Sequence, residues 1–357
     1  MNSALARYLN KLLLGRSLGA MAAILGVLQV LDLMDATDDL LARNFSLLEF
    51  LKYMALRAPS MIQQTAPLAA LIGALLTFAQ LARGSEIIAV RATGTPIYRI
   101  VLLMVPAACL VALIHLVTAE LLAPPAERTL TAWMRDTRPA SQPAPALKPA
   151  WFRIDGQVVE VERWFEGGKR LTGVHLYDRD AGRAMTLRTT AAEARWTPQG
   201  WTLSKVVRTK VGTDTASNTT VASEPWKTTL TPDEVVGAFS PNLSISAADA
   251  WPRLRDKAPA VKPPAFYRTR LQRAVAGPLA ALVMLILAAC AGLGGTRNGQ
   301  AGRLMVYGLA TGVLYLVADG FLTTLGQVNV FPSVVGAWAA PLLFAAGGAM
   351  ALLTLEG

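Results

Sequence analysis

The chain has 357 residues, 53% of them hydrophobic and only 16% charged, against roughly 25% charged in a typical soluble domain. The shortfall is uneven: residues 1–124 and 266–357 are mostly Leu, Ala, Val, Ile, Met and Gly, while 125–265 has an ordinary soluble composition. A single soluble domain and a disordered chain are both excluded. The net charge of +10 fits basic cytoplasmic loops and anionic lipid in a membrane protein, and no nucleic-acid partner is expected.

A membrane span needs about 20 apolar residues, and six windows qualify: 18–34, 66–82, 100–119, 274–293, 304–325 and 330–353. Arg7, Lys11 and Arg16 precede the first, as in a signal peptide. It lacks a small-x-small cleavage site and is followed by Asp32, Asp35, Asp38 and Asp39, which predicts an uncleaved span. The last two windows are separated by little more than 326–329, with Pro332 beyond, predicting a tight hairpin.

Orientation follows from the basic residues. One set of connections holds Arg7, Lys11, Arg16, Arg83, Arg91, Arg99, Arg297 and Arg303; the short connections of the other side hold Arg43, Lys52 and Arg57 against Asp32, Asp35, Asp38, Asp39 and Glu49. The first side is predicted cytoplasmic. Both termini are then inside, and 125–265 is outside, which in a bacterium is the periplasm. The predicted fold class is an α-helical membrane protein with six transmembrane helices, three plus three, and an inserted all-β, jellyroll-like periplasmic domain. The predicted domains are 1–124, 125–265 and 266–357, with Pro- and Ala-rich linkers at 136–149 and 257–264.

Between spans two and three runs Arg83-Gly84-Ser85-Glu86-Ile87-Ile88-Ala89-Val90-Arg91-Ala92-Thr93-Gly94-Thr95-Pro96. Ser85 is a good N-cap, Glu86 complements the helix dipole, and Gly94 with Pro96 stops the helix. A helix of two to three turns is marginal alone in water. Ile87, Val90, Arg91 and Gly94 share one face. Two readings stand level: a helix that docks into another protein, or one that packs against its own spans.

In 125–265, β-prone runs at 157–162, 173–178 and 201–207 are separated by turns at 166–169 and 198–200. This spacing predicts an antiparallel sandwich or jelly roll, with no helix before about Ala247. No nucleophile elbow, metal spacing or Ser/His/Asp set is visible there. His175 reads as a surface or packing residue, and Asp178 and Asp180 as turn residues. Cys109 and Cys290 both lie in apolar runs, so no disulfide framework is expected. No phosphate-binding GxxxxGK[ST] loop occurs in the chain, so any nucleotide energy must come from a separate subunit.

Ionisable groups in the spans mark function or helix pairing. Asp32 is read equally as an interfacial aspartate or a cavity residue. Asp319 lies deeper, where a cavity-facing or interhelical role is favoured. Glu120 is read as interfacial, and Gln29 and Gln80 as interhelical hydrogen-bonders. His115 is read as making a bundle-internal hydrogen bond ahead of sensing protons.

The three-span, external domain, three-span layout, the Ser-Glu-x-x-x-x-Arg-Ala-x-Gly segment at 85–94, and Ala123-Pro124 followed by Glu127 resemble the LptF/LptG permeases, the membrane subunits of the bacterial lipopolysaccharide exporter. Within that family, 226–233, 243–246 and Asp319 with Pro332 and Gly336 are similar to the LptG branch. The resemblance implies that 85–94 is a coupling helix inserting into an LptB-type ATPase dimer, through Arg83, Ser85, Glu86, Ile87, Val90, Arg91 and Gly94. It implies pairing with an LptF-type sibling permease and contact with the single helix of an LptC-type protein. The two permeases would enclose a cavity that takes lipopolysaccharide from the inner membrane, with spans one and five as lateral gates and the jellyroll as part of a bridge outward. No cofactor is expected on this chain; ATP and Mg²⁺ would sit on the ATPase. One departure matters. Familiar enterobacterial members are basic at the outer end of span one, where this chain has Asp32, Asp35, Asp38 and Asp39. Arg43, Arg57, Arg128 and Arg135 are the substitutes for lipid phosphate, unless the native lipid carries a different head-group charge; Asp32, Asp35 and Asp319 complete the substrate or cavity candidates. The competing reading from the residues is an ion-driven secondary transporter of a lipid or amphiphile, using Asp319 and His115.

Overall fold

The computed structural model describes residues 2–43, 45–137, 149–179, 185–211, 216–239, 244–293 and 301–354. The chain divides into two compact units. One comprises Met1–Pro139, Ser244–Ser246 and Thr269–Gly357; the other comprises Ala140–Leu243 and Ala247–Arg268.

The helical unit begins with α1 (Asn2–Ala42), an unbroken rod of about 60 Å at 1.5 Å per residue. It turns into α2 (Leu47–Arg83), whose first turn is closed by Glu49 accepting the Ser46 N–H at 2.6 Å. α2 continues through Pro59 and Pro67. After the short α3 (Glu86–Ala92), α4 (Ile97–Val117) passes into a π turn at Thr118–Leu122 and then into α5 (Ala123–Asp136). The second half holds α8 (Pro264–Ala276) and α9 (Ala280–Leu293), bent by 55°, then α10 (Ala301–Gln327) and α11 (Ser333–Thr354). Among the described residues, five helices are long and apolar enough to cross a membrane, and the bent α8–α9 pair makes six if it counts as one span.

The core of this unit is built from one face each of α2, α4 and α9, including Leu71, Phe78, Ile100, Met104, Met284 and Ala288. Lipid is as apolar as these side chains, so close packing rather than hydrophobic exclusion must join the helices. Glycine provides it at the predicted α10–α11 hairpin. A Cβ on Gly336 would lie 2.8 Å from the Gly326 Cα, so only two glycines permit this crossing.

α5 corrects the expectation that no helix precedes Ala247. Pro124 and Pro125 read as breakers, yet both stand in the first turn of α5, where no intrahelical N–H bond is lost. Its apolar stripe, Leu130 with Trp133 and Met134, packs on Leu40 of α1 and Tyr53 of α2. α5 belongs to the helical unit although its composition is that of a soluble protein.

The β unit is one six-stranded antiparallel sheet in sequence order: β1 (Ala150–Ile154), β2 (Gln157–Phe165), β3 (Arg170–Arg179), β4 (Met185–Thr197), β5 (Gly200–Val211) and β6 (Ala216–Trp226). The predicted runs fall in β2, β3 and β5. The inserted antiparallel β domain is therefore present, and its strand order is a meander without the crossovers of a two-sheet Greek key. Alternate residues such as Val159 and Val161, or Val174 and Leu176, form its core with Trp201. The Trp201 Nε1–H donates to the Leu230 carbonyl at 2.7 Å, satisfying the one polar atom that burial would otherwise strand. α6 (Pro232–Ala238), opened by a Thr231–Glu234 capping box, packs Val235 on this core; it too was unforeseen. α7 (Ala247–Leu254) follows. The predicted exit linker is pinned to the sheet, because Ala260 exchanges backbone hydrogen bonds with Arg153 of β1 at 2.9 and 2.8 Å. Most of the leading linker, at 138–148, lies outside the described residues.

Candidate functional site

α3 follows α2 after only Gly84 and Ser85. Ser85 does not cap it as expected: its φ is 54°, in the left-handed region, and its side chain makes no capping bond. Gly94 does stop it, with φ 78° and its N–H on the Arg91 carbonyl at 2.9 Å. The predicted face is split. Ile87 is 3% exposed and belongs to the helical core, with Val90 packed against it. The outward face is Ile88, 55% exposed, with Ala89, Arg91 and Ala92; Arg83, Ser85 and Gly94 are exposed at its two ends. The i, i+3 spacing placed Ile87 and Val90 together correctly, and burial takes them inward.

Glu86 is tied to the first helix. The Tyr8 hydroxyl donates to its carboxylate at 3.2 Å. Two turns further along α1, Arg16 donates to the Leu76 carbonyl and to the Gln80 side chain near the end of α2. Arg16, Gln80, Arg83 and Glu86 line a cleft of about 650 Å³ beside α3, with Met305 of α10 on its wall. Gln80 thus bonds between helices, as expected, and so does Gln29, whose amide donates to the Met54 carbonyl at 2.9 Å.

At the other end of α1 the acidic run is partly compensated. Asp32 accepts from the Tyr53 hydroxyl at 2.9 Å and from Arg57 at 3.0 Å. Asp39 lies 3.6 Å from Arg43. Arg43 is a correction: its side chain is only 1% exposed and donates to the Met134 carbonyl and the Thr137 hydroxyl, so it ties α1 to α5. It is not open to a ligand. Asp35 is exposed. Arg128 and Arg135 are exposed on α5, seven residues apart and therefore on one face; Arg135 also meets Asp136 at 3.1 Å. Phe45 stacks on Trp133 at 4.7 Å and Lys52 sits 4.4 Å from the same ring, so the ends of α1, α2 and α5 form one knot.

Two ion pairs lie within the bundle. Asp319 of α10 is 6% exposed and accepts from Arg273 of α8 at 2.6 Å. Glu120, in the π turn, meets Arg270 at 2.8 Å. Arg270 also donates to the Ala119 carbonyl at 3.3 Å and to the Ile245 carbonyl. Glu120 is therefore an interhelical partner, and Asp319 takes the interhelical of its two expected roles. A charge at mid-membrane costs about 2.5–3.5 kcal/mol on insertion scales, so each carboxylate needs its arginine. The sequence reading named both acids and missed both arginines. The available signal was Arg270 and Arg273, three apart at the front edge of an apolar run and so on one helical face.

A bundle of long apolar helices, a short surface helix between two of them and an inserted antiparallel sheet define a multi-pass membrane protein of the permease type, with no catalytic constellation among the described residues. The sequence model of the lipopolysaccharide export system permease LptF/LptG matches residues 7–354, and the chain belongs to that family, whose members are inner-membrane transporter subunits and not catalytic enzymes. It is similar to the lipopolysaccharide export system permease protein LptG of Haemophilus influenzae, 23% identical over 349 residues, which cover 96% of each chain. It is also similar to the protein of the same name from Escherichia coli K12, 27% identical over 296 residues, which cover 80% of each chain.

Proposed function

We propose that this chain is the permease subunit of an ABC-type exporter that extracts lipopolysaccharide from the inner membrane and passes it to a periplasmic bridge toward the outer membrane. Both termini and α3 face the cytoplasm, and 125–265 face the periplasm. An LptB-type ATPase dimer binds α3 and supplies hydrolysis, with ATP and Mg²⁺ on that partner. An LptF-type permease completes the cavity, and an LptC-type single-span protein joins the assembly.

The observation that carries this reading is α3 itself. One side is locked into the bundle by Ile87, and the opposite side presents Ile88 and Arg91 to a partner. A docking helix that only touched its own protein would move nothing. α3 continues from α2 and is tied by Glu86 to Tyr8 of α1, so a push on it reaches two spans. ATP-driven closure of the partner would shift the bundle between two packings and narrow the cavity. For the lipid, the cationic candidates on the surface are Arg128 and Arg135 on α5, with Arg57, 39% exposed, beside Asp32. The ion-driven alternative is disfavoured because Asp319, its main candidate carrier, is already held by Arg273.

Ile88→Glu and Arg91→Glu test the docking face. Both are expected to leave the permease folded and to lose the co-purifying ATPase. Retention of the ATPase and of ATP-dependent lipid release in both variants would overturn the assignment.

A further inference from the structure

Within the helical unit, one side of α10 is packed, with Tyr315 fully buried against Phe344, and the other side is open. Val306, Tyr307, Leu314, Val317 and Phe321 are all exposed. Two of its inward contacts are made by glycine: a Cβ on Gly308 would strike Ala291, and one on Gly312 would strike Leu71. Such surfaces allow close approach but have no side chains to interlock. Its polar link to α8 is the bond from Arg273 to Asp319, at 2.6 Å.

The helix that carries Arg273 is bent away from α9 and has its own anchor. α8 is set 55° from α9 by the break at Gly277-Pro278-Leu279. One turn away from Arg273, Arg270 grips Glu120 and the Ala119 carbonyl in the π turn that interrupts the third long helix, and also the Ile245 carbonyl. Ser244, one residue before Ile245, donates its N–H to Glu127 of α5 at 2.6 Å. π turns are rare and recur at functional sites. Two arginines on one face of α8 therefore join the π turn, the segment 244–246 and α10.

We propose that Arg273 and Asp319 are positioning residues of the transport cycle, the pair fixing α10 against α8 in the resting permease and releasing it when the bundle repacks, with Arg270 holding α8 to the π turn. This rests on the transport role proposed above. Ion pairs are retained inside a membrane when a specific arrangement, rather than bulk stability, is at stake.

The test places spin labels at Leu113 of α4 and Phe321 of α10, both exposed, in the full chain with its co-purifying partners. The background is Cys109→Ala/Cys290→Ala, in lipid nanodiscs. Distance distributions are measured for the unaltered pair, Arg273→Ala, Asp319→Asn, Arg273→Lys and the exchange Arg273→Asp/Asp319→Arg. Either single loss is expected to shift and broaden the distribution, while the lysine and the exchange restore it. A distribution unchanged in both single variants overturns the proposal. Should the single variants fail to fold, an exchange variant that folds but does not recover the native distribution overturns it equally. The readout needs no ATPase, so loss of ATPase docking with a normal shift would fail the exporter reading and not the latch.

Discussion

Asp32 is held by two donors from the neighbouring helix, a phenol at 2.9 Å and a guanidinium at 3.0 Å. Its side chain is 17% exposed and that of Arg57 is 39% exposed, so the pair sits between the surface and buried regimes. Arg57→Ala is expected to cost about 1–3 kcal/mol, the range for a hydrogen bond to a charged group. Asp32→Asn, which keeps an acceptor for Tyr53, should cost less. Thermal melts of both single variants and the double variant would isolate the coupling, and additive losses would show that the two groups act independently. In the β unit, Trp201→Phe keeps one aromatic ring, loses the pyrrole half of the indole and removes the bond to Leu230. It is expected to cost about 1–3 kcal/mol, because the Leu230 carbonyl is left unpaired, read as a lower melting temperature in the near-ultraviolet circular dichroism. Residue roles were the least legible part of the sequence. The acids Asp32, Glu120 and Asp319 stood out because charge is rare in apolar runs. Arg57 was named only as a lipid-phosphate candidate, and Arg270 and Arg273 did not stand out, since arginines at the ends of spans are ordinary. Pairing joins positions 25, 150 and 46 residues apart, a separation that one sequence does not reveal.

Elements were more legible where periodicity or composition was strong. Three apolar windows fell inside α1, α2 and α10, 100–119 ran from α4 into the π turn, 330–353 began three residues before α11, and the fourth became the bent α8–α9. Their lengths were underestimated because α1 and α2 continue past the apolar windows as amphipathic helix. α5 was missed because Pro124-Pro125 masked its start. The stop of α3 was readable from Gly94, whose φ of 78° is a conformation costly for other residues. Gly94→Val is expected to cost about 1–2 kcal/mol of backbone strain, and it should loosen α3 and reduce ATPase co-purification without altering the β unit. At the other hairpin, any side chain on Gly336 meets the Gly326 Cα at 2.8 Å and the Leu322 carbonyl at 3.0 Å. Both obstacles are backbone, so Gly336→Leu should force α10 from α11 and cut the yield of folded protein in the membrane. A normal yield and melting temperature would contradict that packing.

At the scale of the whole molecule, a helical unit supplies the membrane spans and a β unit is inserted between its halves, an arrangement that composition alone outlined. The reason is physical: bilayer and water select residues so differently that the change of solvent is written along the chain. Which side of α3 faces outward was not legible, because a seven-residue helix with apolar residues at 87, 88 and 90 offers two faces, and only the packed bundle chooses between them. That choice carries the account. The most direct measurement is cysteine cross-linking in the assembled complex, with single cysteines at 87 and at 88 in a background lacking Cys109 and Cys290. The account predicts that Ile88→Cys cross-links to the ATPase and that Ile87→Cys, buried in the bundle, does not. Cross-linking at 87 with none at 88, or at neither position, would contradict it.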